Sequence, residues 1–153
     1  MTEDEPRARA KLIGINHVAL EVGDLDAALE LYGRLFEFEL RGRTAEMAFI
    51  DMGDQFLAIS EGRTQDPDGE RHFGLVVDDR ERAAEAARRE GLRVIPTHRG
   101  HDFVDPWGNR FQPVSYPEVQ FERTAGVKRR LGIAELEKTR AARAEIRDGG
   151  MDY

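Results

Sequence analysis

The sequence predicts an α+β fold of two tandem βαβββ units followed by a C-terminal helical extension. A repeat is the first observation behind this. His17-Val18-Ala19-Leu20-Glu21-Val22-Gly23-Asp24 returns 55 residues later as His72-Phe73-Gly74-Leu75-Val76-Val77-Asp78-Asp79, with His on His, Leu20 on Leu75, Val22 on Val77 and Asp24 on Asp79. The second is an echo at the far end of each copy: Phe49-Ile50-Asp51 precedes Gly53-Asp54-Gln55-Phe56, and Phe103-Val104-Asp105 precedes Gly108-Asn109-Arg110-Phe111. The third is that each copy passes from strand periodicity to one helix and back to strands. Internal repetition at this period marks a duplicated supersecondary unit.

The elements follow in order. Residues 1–10 are polar and are expected to be disordered. Ile13 to Val22 reads as a strand, with Ile15, His17, Ala19 and Glu21 on one face and Val18, Leu20 and Val22 on the other. Asp24 supplies a helix cap. From Leu25, apolar residues recur at Ala28, Leu29, Tyr32, Leu35 and Phe36, the spacing of an amphipathic helix. Phe36 to Arg43 alternates with strand period, and Glu46–Asp51 and Gln55–Ser60 are strands about a Gly53-Asp54 turn. Arg63 to Glu70, with Pro67 and Gly69, is a polar linker.

The second unit repeats this plan. Arg71–Val77 is a strand, Asp78 and Glu81 have capping-box spacing, and Glu81–Glu90 is an Ala-rich helix ended by Gly91. Leu92–Pro96, His101–Val104 and Arg110–Ser115 are strands. The predicted division is one domain over 11–117, with units 13–61 and 70–116, and an extension over 118–153 with a helix from Ile133 to Arg147. That helix has a weak apolar stripe and is expected to pack on something else.

Composition sets limits. A chain of 153 residues supports one domain with a real core. No apolar run reaches the roughly 18 residues of a membrane helix, and the start, Met1-Thr2-Glu3-Asp4-Glu5, is unlike a signal peptide. A cytoplasmic protein without a membrane partner is expected. With no cysteine, disulfides, thiolate catalysis and thiolate metal ligation are excluded. A net charge of −7 argues against a nucleic-acid surface. The charge is uneven: residues 1–121 carry 15 basic and 24 acidic groups, whereas 122–153 carry 8 and 6. The basic end is either a solvated helix or one that docks on an acidic body, its own or a partner's.

Two histidines at matching repeat positions can converge on one centre. The tandem units, a His on each first strand, and Asp105-Pro106-Trp107-Gly108-Asn109 before the last strand together resemble the vicinal oxygen chelate superfamily over about Ile13 to Tyr116. That group includes glyoxalase I, bleomycin-resistance proteins, fosfomycin-resistance enzymes and extradiol dioxygenases. The resemblance implies that each unit curls into half of an open cup around a divalent metal, held by residues on the first and last strands. It also implies a homodimer and a small-molecule substrate or ligand. Carried over singly, the first-strand ligands fall on His17 and His72, and the last-strand ligand of unit two, usually Glu four residues after the turn glycine, falls on Gln112. The corresponding position of unit one lies near Leu57 or Ala58, neither a metal ligand, so the pattern is nearer the three-ligand fosfomycin-resistance arrangement.

Two imidazoles and an amide oxygen suit Zn²⁺, Ni²⁺, Co²⁺, Fe²⁺ or Mn²⁺ and leave positions open for water and substrate. Gln112 is neutral and cannot serve as a general base, which argues against full glyoxalase I activity. Asp102 is the candidate replacement: Phe103 is read as a core residue matching Phe49, so Asp102 points into the cup. Glu21 shares the face of His17. Either carboxylate could move a proton, orient an imidazole or bind the metal. Asp105, Pro106, Gly108 and Asn109 read most simply as a turn. Trp107 is a candidate rim contact, and Tyr116 and Phe121 either close the cup or pack under the C-terminal helix. The resemblance leaves two functions open: a metal-dependent lyase, isomerase or dioxygenase acting on a small oxygen-rich molecule, or a sequestering protein of the bleomycin-resistance type.

Overall fold

A computed structural model describes residues 9–151. Strands and helices follow the order β1 (His17–Val22), α1 (Leu25–Leu35), β2 (Leu40–Arg43), β3 (Met47–Asp51), β4 (Phe56–Glu61), β5 (Phe73–Val77), α2 (Arg80–Arg89), β6 (Arg93–Thr97), β7 (Gly100–Val104) and β8 (Arg110–Ser115). A 3-10 turn (Tyr116–Glu118), α3 (Ala125–Arg130) and α4 (Arg140–Asp148) complete the chain. The strands form two mixed four-stranded sheets, ordered β1-β4-β3-β2 and β5-β8-β7-β6. In each, the first and last strands of the unit run parallel. The chain is thus α+β, two βαβββ units and a helical end, and both β1, which starts at His17, and β5, which His72 directly precedes, lie at sheet edges.

Local chemistry accounts for the helices. Asp24 accepts the Ala27 amide at 2.9 Å, and Asp79 accepts those of Glu81 and Arg82, so each unit starts its helix with an Asp cap. In α1 the buried residues are Leu25, Ala28, Leu31, Tyr32 and Leu35. In α2 they are four alanines, which lets that helix lie close to its sheet.

The two units share one core. Leu20, Val22, Ile50, Leu57 and Ile59 of the first sheet belong to the same buried cluster as Leu75, Phe103 and Phe111 of the second, with both helices contributing. The end of α1 bridges the units: the Phe111 ring lies 6.2 Å from Tyr32 and 5.8 Å from Phe36, both from unit one. By strand alternation, the faces bearing His17 and His72 are the ones turned away from this cluster.

The linker is part of the structure. Asp68 accepts the Arg110 amide, and its own amide donates to the Gly108 carbonyl at 2.8 Å. Gly108 sits at φ 91 with Pro67 so close that a Cβ would lie 2.6 Å from the Pro67 Cα, so both its conformation and its neighbour require glycine. Arg63 donates to Glu21 O at 3.1 Å, Asn109 Oδ1 at 2.6 Å, Gln65 O at 3.1 Å and Asp66 O at 2.8 Å.

Several expected elements change. The expectation of disorder over residues 1–8 lies outside the described residues. The strand expected from Ile13 begins at His17, because its partner β4 begins at Phe56 opposite it; Leu12, Ile13 and Ile15 are left exposed. The strand expected from Phe36 begins at Leu40, since Phe36 caps α1 and Phe38 packs against the core. The helix expected over 133–147 is α4 alone, which starts at Arg140 behind a Thr139 cap, and an unexpected helix, α3, precedes it behind a Thr124 cap; the two Thr side chains accept from Ala142 and Val127. Gly132, at φ 71, separates them.

The basic end docks on the chain's own acidic body. Arg123 binds Asp54, the Met52 carbonyl and Gln55, and Arg130 binds Asp51 at 3.2 Å. Lys138 is buried, donates to the carbonyls of Tyr116, Val119 and Phe121, and lies 3.5 Å over the Tyr116 ring. Tyr116 therefore packs under the extension. Among the described residues no helix is long and apolar enough to cross a membrane.

Candidate functional site

The second sheet brings three of the five site candidates onto one face. β5 and β8 pair with Gly74 opposite Gln112 and Phe73 opposite Phe111. Phe73, Phe103 and Phe111 point into the core, where their rings meet at 6.0 and 5.7 Å. His72, Gly74, Gln112 and Asp102 consequently occupy the opposite face. The β7–β8 register, Phe103 opposite Phe111, continued by one residue sets Asp102 across from Gln112.

Asp102 is 1% exposed although it lies on the face away from the core. Its Oδ2 accepts Arg110 Nε at 2.8 Å, and Arg110 is held in turn by the linker through Gly69 O at 2.6 Å. Asp102 Oδ1 is buried with no hydrogen-bond partner among the described residues. An unsatisfied buried carboxylate oxygen costs about 1–3 kcal/mol and calls for an explanation.

The first sheet carries the other two candidates. His17 pairs with Phe56, Ala19 with Ala58 and Glu21 with Ser60. Ala58 is therefore the counterpart of Gln112, since each lies across from the residue two places after its unit's first-strand histidine. The fourth position of a four-ligand site is a methyl group. Phe49 pairs with Ala58, so Phe49 stands where Asp102 stands in unit two. The expected match of Phe49 with Phe103 is thus corrected: Phe49 is half-buried on the His17 face, packed edge-on against Phe56 at 5.9 Å, and Ile50 is the core counterpart of Phe103. The misreading came from matching Phe to Phe by type, when the strand register differs by one residue.

Both imidazoles are exposed and similarly oriented. His17 stacks on Phe56 with centroids 4.8 Å apart and 11° between planes, and its Nδ1 lies 2.9 Å from Asn16 Oδ1. His72 Nδ1 lies 2.9 Å from the Glu70 carbonyl. An oxygen that only accepts fixes the proton on Nδ1 and leaves Nε2 as the free, metal-competent nitrogen. Glu21 is less free. Its carboxylate accepts from Thr64 N at 3.0 Å and from Thr64 Oγ1, and the Thr64 amide is the chief reason its pKa is held below the usual range.

Trp107 is not at the rim. It packs against the core and its indole lies where a Cβ on Gly23 would be 2.9 Å away, so it ties the turn of unit two to the end of β1. Asp105 and Asn109 form that turn as expected, with Asp105 Oδ1 accepting the amides of Trp107 and Asn109. Among the described residues, no three His, Asp or Glu side chains converge where they could hold one ion. One chain supplies His72 with Gln112 on one sheet and His17 on the other. The donor chemistry fits a divalent metal: two oriented imidazoles, an amide oxygen, and an orphaned buried carboxylate oxygen next to that amide.

A family model described as the glyoxalase/bleomycin resistance protein/dioxygenase superfamily matches residues 14–112. The chain belongs to this superfamily. Among characterised relatives, it is similar to metallothiol transferase FosB of Bacillus licheniformis, 24% identical over 115 residues, which cover 67% of this chain and 75% of that protein. Among solved structures, its fold resembles fosfomycin resistance protein FosX from Mesorhizobium loti (22% identity, TM-score 0.58, 69% of this chain and 93% of the other). It also resembles FosX from Listeria monocytogenes in complex with Mn(II) and sulfate (16% identity, TM-score 0.58, 79% and 99%). These likenesses establish the shared fold of the paired βαβββ units.

Proposed function

We propose that this protein is a cytoplasmic, divalent-metal-dependent enzyme acting on a small oxygen-rich molecule, of lyase, isomerase or dioxygenase type, and that His17, His72 and Gln112 hold its metal. One observation carries the reading: both first-strand histidines fix Nδ1 on an oxygen and present Nε2 on the faces turned away from the core. When bound, the ion supplies a Lewis acid for a developing oxyanion. The chain's own groups bind and orient. Gly74 and Ala19 leave space beside Gln112 and Ala58, and Phe49 and Phe56 give the first face an apolar wall. Glu21 and Asp102 are the carboxylates offered to the site, to move a proton or to orient a ligand.

His17 lies on an edge strand of one sheet and His72 directly before an edge strand of the other, and among the described residues no three His, Asp or Glu side chains converge. This supports a homodimer in which His17 of one copy meets His72 and Gln112 of the other. The exposed Leu12, Ile13 and Ile15, next to His17, offer an apolar surface for it.

Mixing two defective variants tests this. His17→Ala and His72→Ala should each lose metal, measured by mass spectrometry on untagged protein. A refolded mixture should regain up to one ion per mixed dimer, because one of its two sites is intact. No metal in the wild type after adding Mn²⁺, Zn²⁺ or Ni²⁺, or no recovery in the mixture, would overturn the metal reading or the shared site respectively. Activity screening would begin with fosfomycin, which appears in the relatives' names, and extend to other epoxides, catechols and 2-oxoaldehyde adducts. The methyl of Ala58 and the aromatic wall favour a second reading, a sequestering protein. A stoichiometric thermal shift with a bulky ligand and no product would select it.

A further inference from the structure

We infer that Asp102 is a positioning residue for Gln112: its Oδ1 accepts the Gln112 Nε2–H and turns the amide oxygen toward the metal. This deepens the proposed metal site and rests on it. A carboxylate presents an oxygen whichever way it turns, but an amide presents either its oxygen or its NH₂, and only the oxygen has a lone pair for a cation. Gln112 can therefore act as a ligand only if something selects one of two nearly isosteric rotamers. An ionised carboxylate does so, because it accepts only.

Asp102 is placed for the task. The β7–β8 register, Phe103 opposite Phe111, continued by one residue sets it across from Gln112, a relation that brings Cβ atoms to about 4.5–5.5 Å. Its Oδ2 is taken by Arg110 at 2.8 Å, and Arg110 is pinned by the Gly69 carbonyl, so the guanidinium cannot also serve Oδ1. Oδ1 is the buried carboxylate oxygen without a partner among the described residues. Opposite Gln112 on its other side stands Gly74, with nothing within 4 Å of where a Cβ would be, so the amide has room to turn. The pairing also gives a physical reason for glutamine. A Glu at 112 would face the Asp102 carboxylate across one strand spacing, and like charges directly opposite are destabilising. With Gln, the negative charge stays one residue back, neutralised by Arg110 and felt by the metal through the polarised amide.

A double-variant cycle on the full chain tests this, reading Zn²⁺ affinity by competition with a chromophoric chelator in wild type, Asp102→Asn, Gln112→Glu and the double variant. Loss of an outer partner of a metal ligand lowers affinity by about 10–100-fold. Asp102→Asn should show that loss in the Gln112 background. It should show none, or a gain, in the Gln112→Glu background, where Asp102 is a repelling neighbour. An equal loss in both backgrounds would mean a merely structural Asp102, and no loss in either would also overturn the proposal. The wild type gives a readout that needs no Asp102 variant: the Gln112 side-chain NH₂ resonances should move downfield on Zn²⁺ addition, as a charge-assisted donor does. Zn²⁺ bound tightly with those resonances unmoved would overturn this inference alone. A wild type that takes up no metal would overturn the metal site and this inference with it.

Discussion

The Tyr32 hydroxyl donates to Asp105 Oδ2 at 2.9 Å, a buried bond between the helix of the first unit and the turn of the second. Burial, then the neighbouring Asp105, raise the tyrosine pKa well above its ordinary value, so the phenol stays protonated and donating. Asp105 Oδ2 also accepts Asn109 Nδ2 at 2.8 Å. Tyr32→Phe removes one of two donors to that oxygen without changing shape. It should cost about 1–2 kcal/mol, read as a lower urea midpoint at unchanged slope.

Acid should loosen the extension first. Burial alone would raise the Asp51 pKa, but the hydrogen bonds and charges of Arg41 and Arg130 outweigh it and hold the carboxyl below its ordinary 3.8. A depressed folded pKa contributes stability that is present above the unfolded value and lost as pH falls through the folded one. The wild type should therefore lose more stability than Asp51→Asn between pH 5 and pH 3. Equal losses in parallel urea titrations would show that the Arg130 bridge to α3 contributes nothing.

Gly74→Val should separate binding from folding. A Cβ at this position meets nothing within 4 Å, and valine suits a strand, so the melting temperature should hold or rise. The same side chain would stand beside Gln112 and crowd the proposed metal position. Metal uptake should fall several-fold, measured on the same samples as the melting curves. Unchanged uptake would move the site away from this face.

Lys138→Met should release the extension. Three carbonyls lose their only charged donor, and the Tyr116 ring loses the ammonium above it. A cost of about 2–3 kcal/mol is expected. It should appear as faster amide exchange in α3 and α4, with protection in β8 retained. Uniform loss of protection would mean that the extension folds as one unit with the sheets.

The repeat made the architecture legible, because two copies of an alternating pattern fix which residues share a face. His72, Gln112 and Asp102 fall on one face as strand period requires. What period could not give was register. Phe49 matched Phe103 by type, yet the β3–β4 and β7–β8 pairings put Phe49 level with Asp102. Composition marks residues 63–70 only as a polar linker, whereas Asp68 and Pro67 pack on the turn of the second unit. Its visible signal was a polar stretch with proline, which does not distinguish a loop in solvent from one folded back. α3 was missed although Thr124 stood at its start, because six residues carry too little periodicity to register.

Arg63 joins the linker, the end of β1 and the turn at Asn109 through one guanidinium. The segment between the units is therefore a clamp that ties the two units to each other. In the proposed dimer, opening of the site would then come from sliding between copies or from exposed side chains. Cutting the backbone between Gly62 and Arg63 should leave the halves associated, whereas Arg63→Ala in the intact chain should give the units a mutual freedom that scattering in solution would register as a broader distribution of sizes.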